Sequence, residues 1–524
     1  MPIRMTPDDP RNQEPEYDPR QDDYRRNDNE QSSGGGFGGA LVLLPVIGWL
    51  FKRPKLLLLV AALAAAYFFI VKPMLDGGSL AGEPQRTTGA NFDPKKYDST
   101  EVFEALTNAS VANAALPERA SLEKWAPRRL NQGEQGSCVA WSAAYAARTI
   151  MESSAAGADP NKIAFSPAYL YNQIHLPNCQ GSLLPDAMKT MLYRGSVPLS
   201  LFPYDARTCE NQPNSQAHDL ASQFRIRGFQ RLTLSDADQT TDINAMKQYL
   251  AQGGPVIIGM MVPRSFMNNM MGEKIWKPLR SDDPNGNTMG GHAMCVIGYD
   301  DQLAGGAFQI MNSWGPEWGE NGIGWVRYAD FVRFNKEAFG LYPLQKSGAA
   351  LNRQFKCAIG MAVDGKQLIP LQSKSNGVFE TTTKVAKGTK FKMYVKNDIE
   401  CYTYIFGEET NGTSYVLFPY TSKHSPFCGI TGVRLFPKDH SLQVDNVGTR
   451  DRMAIVVTKQ PIDYNALNKK INTAAGSFDA KVRAALGGMA ISNVQYQSDG
   501  QTMQFTTQAP ADNKAVACVV EVTK

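Results

Sequence analysis

Asn131-Gln-Gly-Glu-Gln-Gly-Ser-Cys138-Val-Ala-Trp-Ser-Ala-Ala-Tyr145 places a Gly-rich turn directly before a cysteine and an Ala-rich run directly after it. The run continues without Gly or Pro as far as Gly157, which is typical of a helix. Cys138 is therefore predicted in the first helical turn, where unpaired N–H groups and the helix dipole favour a thiolate. Gln132 lies shortly before it, so its side-chain amide is a candidate donor to an oxyanion that forms beside the Cys138 N–H.

Two later stretches carry the groups that a nucleophilic thiol requires. His292 lies in Gly290-Gly-His-Ala-Met-Cys-Val-Ile-Gly-Tyr299, and Asn312 begins Asn312-Ser-Trp-Gly-Pro-Glu-Trp-Gly319. A thiol needs a base to take its proton, and the base needs a partner that fixes its tautomer. A lone cysteine in such a helix is usually a small core residue, and a lone histidine before a strand is usually structural. The joint occurrence of the motifs instead favours a catalytic thiol site.

These motifs resemble those of the papain family of cysteine peptidases over residues 116–345. The matching stretches include Gln132-Gly133, Gly136-Ser-Cys138, Gly291-His-Ala293, Gly298-Tyr299, Asn312-Ser-Trp-Gly315 and Gly340-Leu-Tyr-Pro343. The resemblance implies an α+β fold in which a helical half and a β-barrel half face each other across a cleft. It implies that Cys138 is the nucleophile and Gln132 the oxyanion donor. It also implies that His292 is the base and that Asn312 orients it.

The same resemblance implies which residues contact the substrate, a protein or peptide. They are expected to be Gly136, Ser137, Gly181, Gly291 and Trp314. Gly181 lies in a stretch similar to the wall of the family's cleft, which pairs with the substrate backbone. Trp314 would shield the His–Asn pair from water.

The sequence departs from the family pattern at several places. Val139 stands where a tryptophan commonly follows the nucleophile, and Gln135 stands where a cysteine commonly forms a disulfide in the cleft floor. Residues 301–306 lengthen the interval between His292 and Asn312, which predicts a longer hairpin loop. None of these changes removes a catalytic atom, so they bear on the rigidity of the cleft and on its substrate pockets.

Composition and charge bound the other classes of function. At 524 residues the chain is long enough for about two to four domains, and 43% apolar residues suit globular domains with sizeable cores. A net charge of +4 gives no argument for a nucleic acid partner. The sequence has no Cys-x-x-Cys pair and its five histidines are scattered, so neither a metal site nor another cofactor is predicted.

The amino-terminal part is predicted to anchor the protein in a membrane. Residues 1–40 are polar and end in a Gly-rich stretch, which is typical of a disordered tail. Residues 41–75 are assigned to a membrane segment with a transmembrane helix at about 56–71, although a buried core helix or a cleaved signal peptide would also be apolar. Cationic residues crowd the side before this run, which predicts a cytoplasmic N-terminus and a periplasmic or extracellular location for everything after Lys72.

The rest of the chain divides into a linker and two folded parts. Residues 76–115 are a predicted linker with at most one short helix, near 99–112, so control by a large inhibitory propeptide is not expected. Residues 116–345 form the predicted peptidase domain. Its helices are predicted at 138–153, 166–174 and 184–193, and its strands at 255–262, 292–300, 307–312 and 323–328.

Residues 350–524 are predicted to form a β-sandwich-like domain, because strand-like runs alternate with turn signals. Strands are predicted at 355–363, 391–395, 401–406, 414–419, 453–457, 503–507 and 515–522, with one helix at 464–486. The stretch 402–420 resembles an uncharacterised bacterial accessory domain that follows peptidase domains and carries no known chemistry. His424 and His440 are expected in solvated loops, and the partner of this domain is left open.

The cysteines divide into free thiols and pairs. Cys138 is expected to be free, and so is Cys295, which lies in an apolar strand. Papain relatives carry a bridge in the segment that Cys179 and Cys209 flank, so the resemblance implies that these two pair. The other predicted pairs are Cys401–Cys428 and Cys357–Cys518. Sequence spacing alone leaves their connectivity open, and an exported location would permit all of them.

The predicted function is a membrane-anchored, outward-facing cysteine peptidase that hydrolyses peptide bonds. An acyl transferase or ligase is a second possibility, because an amine can replace water when the acyl group leaves the sulfur. A binding or scaffold protein, whose cleft holds peptides without cutting them, is a third. The C-terminal domain offers no nucleophile–base pair and is predicted to bind or position.

Overall fold

The structure, a computed structural model, describes residues 3–8, 87–107, 115–286, 288–344, 354–375, 377–508 and 514–524. The predicted membrane segment at 41–75 lies outside these residues. Within the described ranges, none of the helices combines the length and the apolar character that crossing a bilayer requires. The first elements are β1 (Ile3–Pro7), β2 (Ala90–Asn91) and α1 (Pro94–Asp98).

The helical half of the predicted peptidase domain, residues 116–345, comes next. Its elements are β3 (Arg119–Ser121), α2 (Cys138–Ala140), α3 (Thr149–Ala156), α4 (Pro167–Ile174), β4 (Ser182–Leu183), α5 (Leu184–Tyr193) and α6 (Ser215–Ala221). A π-helix (Trp141–Arg148) joins α2 to α3, so the predicted helix at 138–153 is helical but not α-helical throughout. α4 begins where the Ser166 hydroxyl accepts the Tyr169 N–H and Pro167 occupies the first turn. The predictions of α4 and α5 are confirmed.

The β half is built on one antiparallel sheet. Its elements are β5 (Phe229–Arg231), α7 (Ile243–Ala251), β6 (Val256–Met261), α8 (Arg264–Asn268), β7 (Gly291–Asp300), β8 (Ala307–Met311), β9 (Ile323–Arg327), α9 (Tyr328–Phe334) and β10 (Asn335–Leu341). The strand order is β5-β10-β6-β7-β8-β9, and β3 also pairs with β7. β7 is buried along nearly its whole length, as expected of a strand covered on both faces. The strands predicted in this half are confirmed as β6 to β9, with the predicted longer loop between β7 and β8.

The C-terminal part is formed by strands with two helices. Its elements are β11 (Gln354–Val363), β12 (Gln367–Leu368), β13 (Leu371–Ser375), β14 (Val378–Thr381), β15 (Lys390–Asn397), β16 (Cys401–Glu408), β17 (Ser414–Phe418), β18 (Phe427–Cys428), β19 (Gly432–Phe436), β20 (His440–Val444), β21 (Arg450–Thr458), α10 (Tyr464–Thr473), α11 (Phe478–Leu486), β22 (Gln495–Ser498), β23 (Met503–Gln508) and β24 (Ala515–Thr523). The predicted strands of this part are all present.

Two sheets of the C-terminal part enclose a common core. One sheet has the order β1-β20-β15-β11-β23-β22, and the other has the order β13-β14-β24-β21-β16-β17. Ile359 and Phe505 from the first sheet and Ile455 and Val520 from the second belong to one buried cluster. A second cluster, which includes Phe478, joins α10 and α11 to the second sheet.

The amino-terminal tail is not disordered throughout, because Ile3–Pro7 pair antiparallel with β20. The prediction for residues 1–40 is therefore wrong at these positions. His440 opens β20, so it lies in a strand rather than in the predicted solvated loop. The sequence pattern that was missed is a run of only five residues. A strand this short is stable because it pairs with the edge of an existing sheet.

Other local predictions also fail for identifiable reasons. The single helix predicted at 464–486 is two helices, separated near Gly476, whose φ of 109° suits glycine. Of the short helix predicted near 99–112, residues 99–107 are not helical and residues 108–112 lie outside the described residues. The helix that the structure describes next to this range is α1, which ends at Asp98. It begins where Asp93 accepts the N–H groups of the first turn and Pro94 fixes the backbone there.

Two predicted disulfides are wrong, and one is confirmed. Cys179 and Cys209 form the predicted bridge. The four cysteines assigned to the other pairs are buried free thiols within the core between the C-terminal sheets: Cys357, Cys401, Cys428 and Cys518. Positions in such a core suit cysteine as a small apolar residue, without a bond. Cys295 is a buried free thiol, as predicted.

Residues 93–107 lie between the peptidase domain and the C-terminal sheets. The Val102 N–H donates at 2.7 Å to the carbonyl of Lys423, which belongs to the C-terminal part. The carboxylate of Glu104 lies 2.9 Å from Nδ1 of His424, and both side chains are buried. His424 is therefore not a solvated loop residue, because Glu104 supplies the partner that lets its ring be buried.

Candidate active site

Cys138 is the first residue of α2 and points into the junction between the two halves of the peptidase domain. Its side chain is fully buried. Its Sγ accepts a hydrogen bond from the N–H of Ala293 at 3.4 Å. Ala293 directly follows His292 on β7, so the thiol from the helical half meets the strand that carries the imidazole.

His292 is held by Asn312 in one tautomer. Nε2 of His292 lies 2.8 Å from Oδ1 of Asn312, and the same Oδ1 accepts the Ser313 N–H at 2.7 Å. Because Oδ1 is an acceptor in both contacts, His292 donates from Nε2. Nδ1 is then the acceptor nitrogen, and no donor from the described part of the chain reaches it. This nitrogen is free to take a proton from a thiol.

Trp314 covers the imidazole. Its indole stacks on the His292 ring with centroids 4.1 Å apart and planes at 20°. Both side chains are buried. The stack keeps water away from one face of the His292–Asn312 hydrogen bond.

Gln132 is oriented by Ser313, which directly follows Asn312. The Ser313 hydroxyl donates to Oε1 of Gln132 at 2.6 Å. The amide oxygen therefore faces Ser313, and the amide nitrogen faces away from it. That nitrogen, Nε2, donates to the carbonyl of Thr87 at 3.1 Å and to the carbonyl of Gln135 at 3.0 Å. The Gln132 amide, which the sequence predicts to donate to an oxyanion, therefore donates to a peptide carbonyl of the same chain.

That carbonyl belongs to a segment that runs through the cleft, residues 87–92, called the cleft segment below. Nε1 of Trp314 also donates to the Thr87 carbonyl, at 3.0 Å. Gly89 donates its N–H to the carbonyl of Gly291 at 3.1 Å and accepts the Ser182 N–H at 2.9 Å. β2 pairs parallel with β4 in continuation of these bonds. This part of the predicted linker thus lies against Gln132, Ser182 and Gly291, and the backbone of Ala90 reaches Cys138.

Close backbone packing explains the glycines of the cleft. A Cβ added at Gly89 would lie 2.1 Å from the carbonyl oxygen of Gly136. One added at Gly181 would lie 2.2 Å from the carbonyl oxygen of Gly89, and one at Gly291 would lie 2.1 Å from that of Ala90. Gly136, Gly181 and Gly291, which the sequence assigned to substrate binding, therefore all touch this peptide backbone.

Phe92 fills an apolar recess beside the cleft segment. A Cβ added at Gly259 or at Gly291 would lie 2.6 Å from the Phe92 ring, and Leu184 stands beside the same recess. Glycine at these positions leaves room for a large aromatic side chain.

Residues 120–339 match the family model for the papain family cysteine protease. This segment is a papain-family cysteine protease domain. Cathepsin B-like CP2 of Giardia intestinalis is 29% identical over 202 residues, which cover 37% of this chain and 62% of that protein. Cathepsin B-like CP3 of the same organism is 26% identical over 275 residues, which cover 49% of this chain and 85% of that protein. The chain spans about three fifths of the first of these curated relatives.

Among the solved structures that match is that of Xylellain, a cysteine protease from Xylella fastidiosa. It is 23% identical, and the match covers 51% of this chain and 100% of that chain with a TM-score of 0.40.

Burial keeps the reactive groups of the papain-family domain uncharged. It raises the pKa of the Cys138 thiol to about 12, against the opposing effect of N–H groups such as that of Ala293. It lowers the pKa of His292 to about 4, against the effect of the hydrogen bond to Asn312. At neutral pH the thiol and the imidazole are both neutral in this closed arrangement, and an ion pair requires that water enter.

The papain-family domain brings together most of the residues that the sequence singled out. Ser137 is the exception, because its buried hydroxyl pairs with that of Tyr204 at 2.6 Å rather than with the cleft segment. Ser313, which orients Gln132, was missed although it lies within the motif that follows Asn312. The cleft segment was also missed, and its only local signal is the pair of small residues Gly89 and Ala90.

Proposed function

We propose that the papain-family domain hydrolyses peptide bonds, with Cys138 as the nucleophile and His292 as the base. The observation that carries the proposal is the Thr87 carbonyl, a peptide carbonyl held on the side-chain amide of Gln132 in the cleft of Cys138. A donor in that position stabilises the negative oxygen that forms when a thiolate attacks a carbonyl.

The chemical steps follow from the orientation of His292. Its Nδ1 takes the Cys138 proton, and the sulfur bonds to the carbonyl carbon of the substrate, whose oxygen becomes negative. The imidazolium then protonates the leaving amine as the C–N bond breaks. Water, deprotonated by His292, attacks the thioester, and the acid product leaves as the thiolate is restored.

The substrate class follows from what the cleft already holds. The cleft segment is an extended peptide bound through its backbone, with one aromatic side chain in the recess beside Gly259 and Gly291. We propose that substrates bind as extended peptides with a large apolar or aromatic residue in that recess. The cleft segment must leave before they bind.

Peptide cleavage by the purified full-length protein tests the proposal. A library of fluorogenic peptides should be cut, with preference for an aromatic residue near the cut. Products made in the presence of excess amine identify the transferase alternative, since transfer would yield amides in place of acids. Absence of turnover and of labelling by a thiol-directed epoxide, once the cleft is open, would support the binding alternative.

The supporting residues should lose activity in a graded order. Gln132→Ala removes one oxyanion donor and is expected to lower kcat by ~10²–10³. Asn312→Ala should cost less than His292→Ala, because the imidazole can still reach the right geometry without its partner. Gln372→Ala, at an exposed position of the C-terminal part, is the control and should leave kcat unchanged. Equal and complete loss in all three site variants, while folded, would refute this order.

We also propose that the papain-family domain is exported and attached to a membrane. The Cys179–Cys209 bridge supports an oxidising compartment, and the apolar residues 41–75 support the attachment. A reporter enzyme that is active only after export, fused after Lys524, should be active. Activity from a cytosol-dependent reporter at the same position would contradict this.

A further inference from the structure

The outer edge of β20 is occupied by the first residues of the chain. Ile3 to Pro7 pair antiparallel with Val444 to His440, residue by residue. The next residue continues the pairing, because the Asp8 N–H donates to the carbonyl of Asp439 at 3.3 Å.

The start of the strand is held by the side chain and the backbone of Ile3. Ile3 is 1% exposed and belongs to the core between the two C-terminal sheets, and Met5 packs against the same core. Both the N–H and the carbonyl of Ile3 bond to the hydroxyl of Tyr415, at 3.2 Å and 3.1 Å. Tyr415 lies on β17 of the other sheet, so both sheets contact this residue. Arg4, between the two apolar side chains, is exposed.

The end of the strand is held by an ion pair between the Asp8 carboxylate and the ammonium of Lys392. Asp8 Oδ2 lies 2.6 Å from Nζ of Lys392, and Asp8 Oδ1 accepts the Ser441 hydroxyl at 2.6 Å. The same ammonium donates to three backbone carbonyls at 2.8 Å, those of Pro437, Lys438 and His440. The Lys392 side chain is 18% exposed. Asp8 is therefore the carboxylate in direct contact with a largely buried cation, whose other hydrogen-bond partners in the structure are backbone carbonyls.

We infer that the C-terminal part carries a strand-binding site for an extended peptide, and that residues 3–8 of this protein are its ligand. The site selects an apolar residue in the core pocket, a second apolar residue two positions later, and a carboxylate at Lys392. Main-chain pairing with β20 supplies affinity, and these side chains supply specificity. This inference does not depend on the proposed peptidase activity.

Peptide binding to a protein without its own strand tests the site. The probe is a fluorescent peptide of residues 2–9, and the protein is the full chain with residues 1–8 deleted. Saturable binding is expected to the deleted protein and at least tenfold weaker binding to the intact chain, whose site is filled. No binding to the deleted protein, or equal binding to both, would overturn the inference.

Variants of the peptide distinguish specific recognition from nonspecific binding. Asp8→Asn should weaken binding about tenfold or more, because it removes the charge on the bond to Lys392. Arg4→Gln, at the exposed position, is the matched control and should bind as the native peptide does. Lys392→Met in the deleted protein should abolish the preference for the native peptide over the Asp8→Asn peptide. Equal binding of these two peptides to the deleted protein that retains Lys392 would overturn the inference even if both bind.

Discussion

Cys138→Ala is expected to abolish peptide hydrolysis, with a loss of roughly 10⁴-fold or more in kcat/KM. The sulfur is the atom that bonds to the substrate, and nothing at an alanine can replace it. His292→Ala should cost nearly as much, because Nδ1 of that ring is the acceptor nitrogen that no donor of the described residues occupies, and it is the proposed base. Steady-state kinetics with a fluorogenic peptide measure both losses.

Cys295→Ala is the matched control for the loss of the thiol. Cys295 is also a fully buried cysteine, but it lies within β7, and its Sγ donates to the carbonyl of the neighbouring Val296 at 3.9 Å. Turnover should therefore stay close to that of the unaltered protein. Full activity of the Cys138→Ala protein would remove the basis of the proposed function, whatever the control does.

Gly89→Leu is expected to open the cleft and to raise peptide turnover by about tenfold to hundredfold. The added Cβ would lie 2.1 Å from the carbonyl oxygen of Gly136, so the cleft segment cannot keep its place. Overpacking of this kind costs about 1–3 kcal/mol, and that cost falls on the closed state alone. Initial rates of peptide cleavage at fixed enzyme concentration measure the change.

The same variant should change how Cys138 ionises. Burial favours the neutral forms, which is why the pKa of the thiol is about 12 and that of His292 about 4 in the closed state. Water admitted by Gly89→Leu favours the charged forms, so the thiol pKa should fall and the imidazole pKa should rise. Alkylation of Cys138 by iodoacetamide, followed against pH, should therefore reach its half-maximal rate at lower pH in the variant.

Gly488→Leu is the control for the glycine replacement. Gly488 lies in the C-terminal part, and a Cβ there meets nothing within 4 Å. It should change neither turnover nor alkylation. If Gly89→Leu behaves like this control while it remains folded, the cleft segment does not limit access to Cys138.

The parts of the fold that the sequence predicted are those with a local cause. Cys138 begins a helix because a Gly-rich turn precedes an Ala-rich run, and β7 and β8 form a hairpin because two apolar runs flank a polar loop. The contact of Trp314 with His292 also follows a local order, since Trp314 lies two residues after the asparagine that holds the histidine.

The parts that were not predicted depend on distant residues. The cleft segment has little apolar surface of its own, and its position is determined by the backbone of Gly136, Ser182 and Gly291, far along the chain. The ring of His424 is buried because Glu104 reaches it from another part of the fold. Neither contact leaves a periodic pattern, and periodic patterns are what a single sequence shows.

The pairing of β1 with β20 has a consequence for counting membrane crossings. Each crossing transfers the chain to the other side, so two bound segments of one molecule can lie on the same side only if an even number of crossings separates them. Within one molecule, the pairing of β1 with β20 and a single membrane crossing between these strands therefore exclude each other. A single crossing, as the charge pattern alone predicts, would leave β1 and β20 on opposite faces of the bilayer, and the edge of β20 would be open to a strand from another molecule.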